Sequence, residues 1–359
     1  MAAWARSIAV ALGILVATIV APQASAAPYA YVTNINSDDV SVIDTATNTV
    51  SATIAVGDSP RGVSVSPDGS KVYVANISSN NVSIIDTATN IVSTTVAVGG
   101  NPIGIAVSPD GSKVYVGNWS SNNVSVIDTA THTVSATVAV GNAPYGITVS
   151  PDGSKVYVAN AAFDNVSVID TATNTVSATV AVGTNPQGIA VSPDGLKAYV
   201  ANFSSDSVSV IDTATNTVSA TVAVGTDPFG IAVSPDGSKV YVANIASANV
   251  SVIDTATNTV SATIAVGTSP YGIAVSPDGS KAYVANLNSD SVSVIDTSTN
   301  TVSATIAVGN GPYGFGQFIG PAAATPSIPT LQETMLAAMA GLLALGGVLM
   351  MRRRRVSAS

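Results

Sequence analysis

Cysteine is absent from all 359 residues. Its absence excludes disulfides, cysteine-ligated zinc, iron–sulfur clusters, thiol nucleophiles and covalently attached c-type haem. Histidine occurs once, as His132, and glutamate once, as Glu333, so paired histidine ligands and a glutamate general base within the repeats described below are also missing. Charged residues make up only 9% of the chain and aromatics 5%, against about 25% charged residues in an ordinary globular protein. With 47% apolar residues, disorder driven by charge excess is excluded. No cofactor is expected.

Charge is divided by segment. Residues 27 to 327 carry six Lys and Arg61 against twenty Asp, a net −13, whereas the ends carry five Arg against Glu333. An acidic body without a basic groove repels nucleic acid, so no nucleic-acid partner is expected.

Each end reads as an address. Residues 1–26 hold Arg6, an apolar run from Ile8 to Val20, and the small residues Ala24, Ser25 and Ala26, the order of a secretory signal peptide; an uncleaved N-terminal anchor is the competing reading. Near the other end, Thr334 to Met351 form an uncharged apolar stretch followed at once by Arg352, Arg353, Arg354 and Arg355. As a helix, 18 residues span about 27 Å, close to the hydrocarbon thickness of a bilayer. The arginines would stay cytoplasmic by the positive-inside rule, which places the large domain across the membrane. A Pro/Ala/Ser/Thr linker (321–327) and then Ile328, Pro329, Thr330 and Leu331 precede the helix. This order, over about 328–355 with a short tail at 356–359, resembles the IPTL-CTERM sorting signal of Gram-negative bacteria. The resemblance implies recognition by an exosortase-type membrane transpeptidase, removal of the tail and transfer to the cell surface. The sequence departs from the usual Ser-Glu-Trp continuation with Gln332, Glu333 and Thr334, and a plain membrane anchor is the alternative.

Between the ends, one unit of 42 residues recurs without a gap, marked by Tyr31, Tyr73, Tyr115, Tyr157, Tyr199, Tyr241 and Tyr283. A full unit, read from Gly104, has four segments that alternate larger apolar with small or polar residues, as strands do: 104–108, 114–118, 124–128 and 133–140. Pro109, Asp110 and Gly111 suit a tight turn between the first two; Asp128 to His132 form the second reversal. Four strands per repeat of about 40–45 residues is the arithmetic of a β-propeller blade. The expected fold is therefore all-β, a seven-bladed propeller of four-stranded repeats over residues 27–320, with strands A to D running outward from the channel. The chain begins in a strand B at Ala30 and ends in a strand-A-like segment, 314–319, so the last strand would complete the first blade. An open solenoid would want distinct capping repeats instead.

YVTN at Tyr31, YVAN at Tyr73, Tyr157, Tyr199, Tyr241 and Tyr283, and the SPDG and VSVIDTAT segments resemble the YVTN-family β-propeller repeat. The resemblance implies a seven-bladed propeller of the kind found in surface-layer and other extracytoplasmic proteins, and fixes no activity.

Copies can be compared with one another. The A-to-B turn (SPDGSK) and the C-to-D turn (DTATNT) hardly vary, with Leu196 the main exception, and share one face of an up-and-down blade. The D-to-A and B-to-C loops share the other and carry the differences. Just before strand A stand Arg61, Ile103, Tyr145, Gln187, Phe229, Tyr271 and Tyr313, expected to ring the channel mouth; the B-to-C loops add Trp119, Phe163 and Phe203. Aromatics within a rim of Ser, Asn and Asp suit a glycan, peptide or envelope-protein ligand; drift in unconstrained loops explains the same variation. Replacing Tyr145, Phe229, Tyr271 and Tyr313 together is expected to remove binding without disturbing the fold.

Catalysis has less support. His132 is a single Asn-to-His change in a hairpin, the six Lys occupy the A-to-B turns, and the seven Asp from Asp44 to Asp296 cap the same hairpin in each copy. Thus no Ser-His-Asp constellation, paired histidines or phosphate-binding loop is expected, and no metal site, although Asp38, Asp39, Asp164, Asp206 and Asp290 would be the oxygens for calcium. Two classes remain: a non-enzymatic surface propeller that binds or builds the envelope, and a hydrolase or lactonase-like propeller enzyme at the channel mouth, where only Asp58 and Asp227 approach.

Overall fold

The computed structural model describes residues 28–321, so the expected signal peptide, the remainder of the linker, the sorting motif and the apolar stretch 334–351 lie outside the described residues. Seven sheets form a seven-bladed propeller. The first holds β1 (Tyr29–Asn34), β2 (Asp39–Asp44) and β3 (Thr49–Ala55). The second holds β4 (Pro60–Val65), β5 (Lys71–Asn76), β6 (Asn81–Asp86) and β7 (Ile91–Ala97), paired in sequential antiparallel order. Five more four-stranded sheets repeat it as β8–β11 (102–139), β12–β15 (144–181), β16–β19 (186–223), β20–β23 (228–265) and β24–β27 (270–307). No α-helix occurs among the described residues; Phe203–Ser205 and Leu287–Ser289 form single 3-10 turns.

Strand order explains the burial gradient. The three inner strands of each blade are covered on both sides by neighbouring blades, so the VSVID strands are buried throughout their centres, whereas the outermost TVSATVA strands expose most of their residues. Each apolar layer spans two blades: Tyr73, Val82 and Ile84 of the second pack against Ile105, Val114, Val116 and Ile127 of the third. The equivalent layer at the seam joins Tyr31, Val40 and Val42 to Tyr283, Val292 and Val294, with Phe318 and Ile319 between them.

Closure comes from the end of the chain. Residues 312–319 take the innermost place in the first blade, bridging Asn34 to Pro312 and Ala30 to Ile319 antiparallel, and touching the second blade through Gly62 and Phe315 in parallel. The N–H of Tyr31 donates to the Phe318 carbonyl at 2.9 Å, and Tyr313 N–H donates to Thr33 at 2.7 Å. The segment is less regular than the other inner strands because Gly314 and Gly316 take positive φ, +51° and +115°.

Turns and crossovers hold the blades at a fixed pitch. In the A-to-B turn Ser108 Oγ donates to Asp110 Oδ1, Ser112 donates to the same carboxylate through N–H and hydroxyl, and Gly111 takes φ +72°. These donors, Ser108 first, hold the Asp110 carboxyl down at about 2. Lysines that follow these turns reach across blades: Lys155 Nζ donates to the Thr213 carbonyl at 3.4 Å, and Lys281 Nζ crosses the seam to Thr45 at 3.0 Å.

Around the channel, neighbouring inner strands touch through glycine. A Cβ on Gly188 would stand 2.2 Å from the Phe229 carbonyl oxygen, and one on Gly104 would stand 2.1 Å from that of Tyr145. Backbone rather than a flexible side chain is in the way, so Gly188→Ala must push two blades apart. The expected cost is about 3 kcal/mol, in the range of overpacked cores, measured as a loss of stability in denaturant unfolding. Gly117→Ala provides the control: its nearest contact would be 3.6 Å, five of the other six copies carry Ala there, and stability should change by less than about 1 kcal/mol.

Candidate binding face

The blade directions fix the two faces of the disc. Pro60 pairs with Asn76 and Asn34 with Asp39, so the starts of the inner strands and the B-to-C loops share one face. The SPDG and DTAT turns share the opposite face. The seven variable residues Arg61, Ile103, Tyr145, Gln187, Phe229, Tyr271 and Tyr313 occupy this first face as the second residue of each inner strand and of the closing segment, within the strands rather than just before them, because each strand starts two residues earlier than expected.

All of these but Gln187 converge and plug the channel at this face. Ile103, Tyr145, Phe229 and Tyr313 are buried together with Phe315, and Tyr271 and Phe203 pack at the margin. Phe229 stands at the middle, with ring centroids 5.4 Å from Tyr145, 4.8 Å from Tyr271, 5.9 Å from Tyr313 and 5.4 Å from Phe315, mostly edge to face. Tyr145, Phe229 and Tyr313 are therefore core residues. Removing them together with Tyr271 would unpack this plug, so the expectation that all four could be replaced without disturbing the fold does not hold.

Polar groups are threaded through the plug. The Tyr145 and Tyr313 hydroxyls share a hydrogen bond, and burial pushes both phenols above their ordinary pKa against the pull of Arg61, so both are neutral. Arg61 Nη1 donates to Tyr145 at 3.2 Å, and the guanidinium lies 5.2 Å over the Tyr313 ring. Its backbone is pinned by the Thr33 hydroxyl, which donates to the Arg61 carbonyl at 2.7 Å. Arg61 Nε and Gln187 Oε1 are buried without hydrogen-bond partners among the described residues, while Gln187 Nε2 donates to Asn185 at 2.6 Å.

Of the B-to-C loop aromatics, Trp119 and Phe163 are 44% and 59% exposed; Phe203 instead leans on Phe229 at 6.3 Å. The loop carboxylates tie the face together. Asp38, Asp164, Asp206 and Asp290 accept from the backbone N–H of Ser59, Asn185, Asp227 and Gly311, and Asp39 accepts from Asn34 Nδ2. Asn80 and Asn122 do the same for Asn101 and Ala143. No group of three His, Asp or Glu that could hold a metal occurs among the described residues. His132 sits in a C-to-D turn at φ +55°, where the other copies have Asn at nearly the same angle.

Two features were missed by the comparison of copies. Phe315, which completes the plug, belongs to the irregular last half-repeat and has no counterpart to compare; its only signal was the sequence GFGQF. The second is that the channel opens on the other face. A funnel of about 490 Å³ enters from the SPDG side, lined by Val107, Val149, Val191 and Val233 and by Gln317 of the closing segment.

A ring of antiparallel four-stranded blades closed by the end of the chain defines a β-propeller built from near-identical repeats. The chain matches the YNCE-like beta-propeller family over residues 1–110, 148–238 and 236–318 and belongs to it; the YVTN-like repeat fits this assignment. Among solved structures it is similar to the hydrazine synthase of Kuenenia stuttgartiensis, at 26% identity and a TM-score of 0.65 over 71% of this chain and 88% of that one. It is also similar to a functionally unknown protein from Desulfotomaculum acetoxidans, at 19% identity and a TM-score of 0.68 over 80% of this chain and 99% of that one, which shows the fold alone. No curated protein matches the chain.

One blade lacks the loop tie. Ala248 occupies the left-handed position, φ +50°, that Asp or Asn fills in the other six copies. Ala248→Asp relieves the strain on a non-glycine residue and supplies an acceptor for Ser269 N–H. Stability should rise by about 1 kcal/mol, seen as a higher urea midpoint with an unchanged m-value.

Proposed function

We propose that this chain is an exported, non-enzymatic propeller of the bacterial envelope, whose partners are met on the variable face. The observation that carries the reading is the segregation of difference. Seven blades share nearly identical turns on one face, and the side chains that differ collect on the other, where Trp119 and Phe163 stand exposed and Arg61 and Tyr271 are half-buried. A rigid ring with one individual face is what a binding module needs: a fixed scaffold and an adaptable contact surface. The ligand is a glycan, a peptide or another envelope protein.

Export is supported by the sequence of residues 1–26, and sorting by the order Ile328-Pro329-Thr330-Leu331, apolar stretch, Arg352–Arg355, which an exosortase-type transpeptidase would recognise while the tail is held in the inner membrane. The hydrolase alternative has less behind it. His132 belongs to the opposite face, and the Asp38, Asp164, Asp206 and Asp290 carboxylates of the variable loops accept from backbone N–H groups.

Binding by the full-length secreted protein to arrays of envelope glycans and peptides should fall at least tenfold in the triple variant Trp119→Ser, Phe163→Ser, Tyr271→Ser, and stay unchanged for Leu196→Ser on the turn face. Equal binding by the triple variant rejects the assignment of the face. Fractionation of the native host with intact-mass measurement should find, at the cell surface, a form lacking residues 1–26 and the chain after about Pro329. A form in the inner membrane that retains Arg352–Arg355 would replace sorting with permanent anchoring.

A further inference from the structure

Arg61 is the only arginine among the described residues, and the six lysines all stand at the turn-face ends of their strands. It is thus the one cation at the channel mouth of the variable face. The one ion pair among the described residues joins Lys71 to Asp86, so no carboxylate is within ion-pair distance of the Arg61 guanidinium. Of its five donors, one is used within the protein, by Tyr145, and Nε is buried and unpartnered. A half-buried guanidinium offered no anion within the protein keeps donors for one from outside.

The neighbours complete a small site. Tyr145 and Tyr313 hold the guanidinium in place through a hydrogen bond and a ring face, and both are kept neutral, so they do not compensate its charge. Tyr271, tilted 35° against Tyr313 at 4.7 Å, is half-buried beside them. Guanidinium donors that lack an acceptor and an aromatic flank together describe the complement of a compact molecule with one carboxylate.

We propose that Arg61 is the anchor of a binding site for a small carboxylate-bearing ligand at the mouth of the variable face, with Tyr271 covering its body. Nη2 and the second Nη1 hydrogen have no partner among the described residues and suit the oxygens of a carboxylate, which gives a charge-assisted and directional contact. The acidic body opposes anions only at short range, since charges further than about 8 Å are screened at physiological ionic strength. The carboxylate could belong to a sugar acid or to an amino-acid derivative. This inference rests on the variable face being the binding face, and names the chemistry it selects.

The test uses the full-length secreted protein and isothermal titration with two acids and their neutral counterparts: D-glucuronate against methyl glucoside, and N-acetylglycine against N-acetylglycinamide. At least one acid should bind in the millimolar range or better, its neutral counterpart at least tenfold more weakly. Arg61→Met, which keeps an apolar stem over Tyr313, should lose that preference while melting within a few degrees of the parent; Arg61→Lys, keeping charge without the fork, should recover part of it. Which acid binds separates the sugar source from the amino-acid source. Equal binding of acid and neutral partner, binding by Arg61→Met equal to the parent, or no binding of either acid overturns the proposal. Loss of array binding in the triple aromatic variant, together with any of these results, would keep the binding face and remove only the carboxylate site.

Discussion

Everything in this ring depends on how closely neighbouring inner strands approach. A glycine near the start of each inner strand lets the next strand set a carbonyl oxygen where a Cβ would otherwise stand, from Gly62 against Ile103 round to Gly272 against Gly314 of the closing segment. That spacing sets the pitch between blades, and a fixed pitch multiplied around the disc decides whether seven copies close. It also pinches the channel at one level, because every glycine lies at the same height. Above that level, large side chains from the variable positions meet and form a plug; below it, valines and small residues leave a funnel.

The plug limits what the proposed binding face can offer. A row of aromatics around an open pore would offer a deep site, whereas aromatics packed edge to face around Phe229 make a floor. Contacts are then limited to what reaches the surface of that floor: part of Arg61, part of Tyr271, and the outlying Trp119 and Phe163. Because the floor is continuous with the core, its polar atoms are fixed by packing instead of by mobile loops. Preorganisation of this kind lowers the ordering cost of binding.

Much of the architecture was legible because the chain repeats itself. The 42-residue period, the four strands and the turn residues could be read from Tyr73 seven times over and from Asp110 and Gly111 six times, and the half-repeats at the ends marked the seam. What could not be read was depth. Ile103, Tyr145 and Phe229 differ between copies, and difference suggests exposure, yet these positions are buried because different side chains share one central volume that no single repeat specifies. The role of Asp38, Asp164, Asp206 and Asp290 was hidden for a related reason: each carboxylate accepts from a crossover 21 residues further along the chain, a contact that depends on the left-handed turn of the loop. Trp119 and Phe163, by contrast, stand where polar loops would put them.

The closing segment has a consequence for the order of assembly. Gly314 N–H donates to the Thr33 hydroxyl across 281 residues of sequence, so the first blade to be synthesised is the last to be finished. Blades two to seven are built from contacts within 42-residue neighbourhoods and can form as the chain lengthens. The seal is of high contact order and waits for the final residues of the domain. Until they arrive, β1 offers an unpaired edge and the apolar layer between first and last blades is open to water, which makes a prematurely ended chain the aggregation-prone species of this protein.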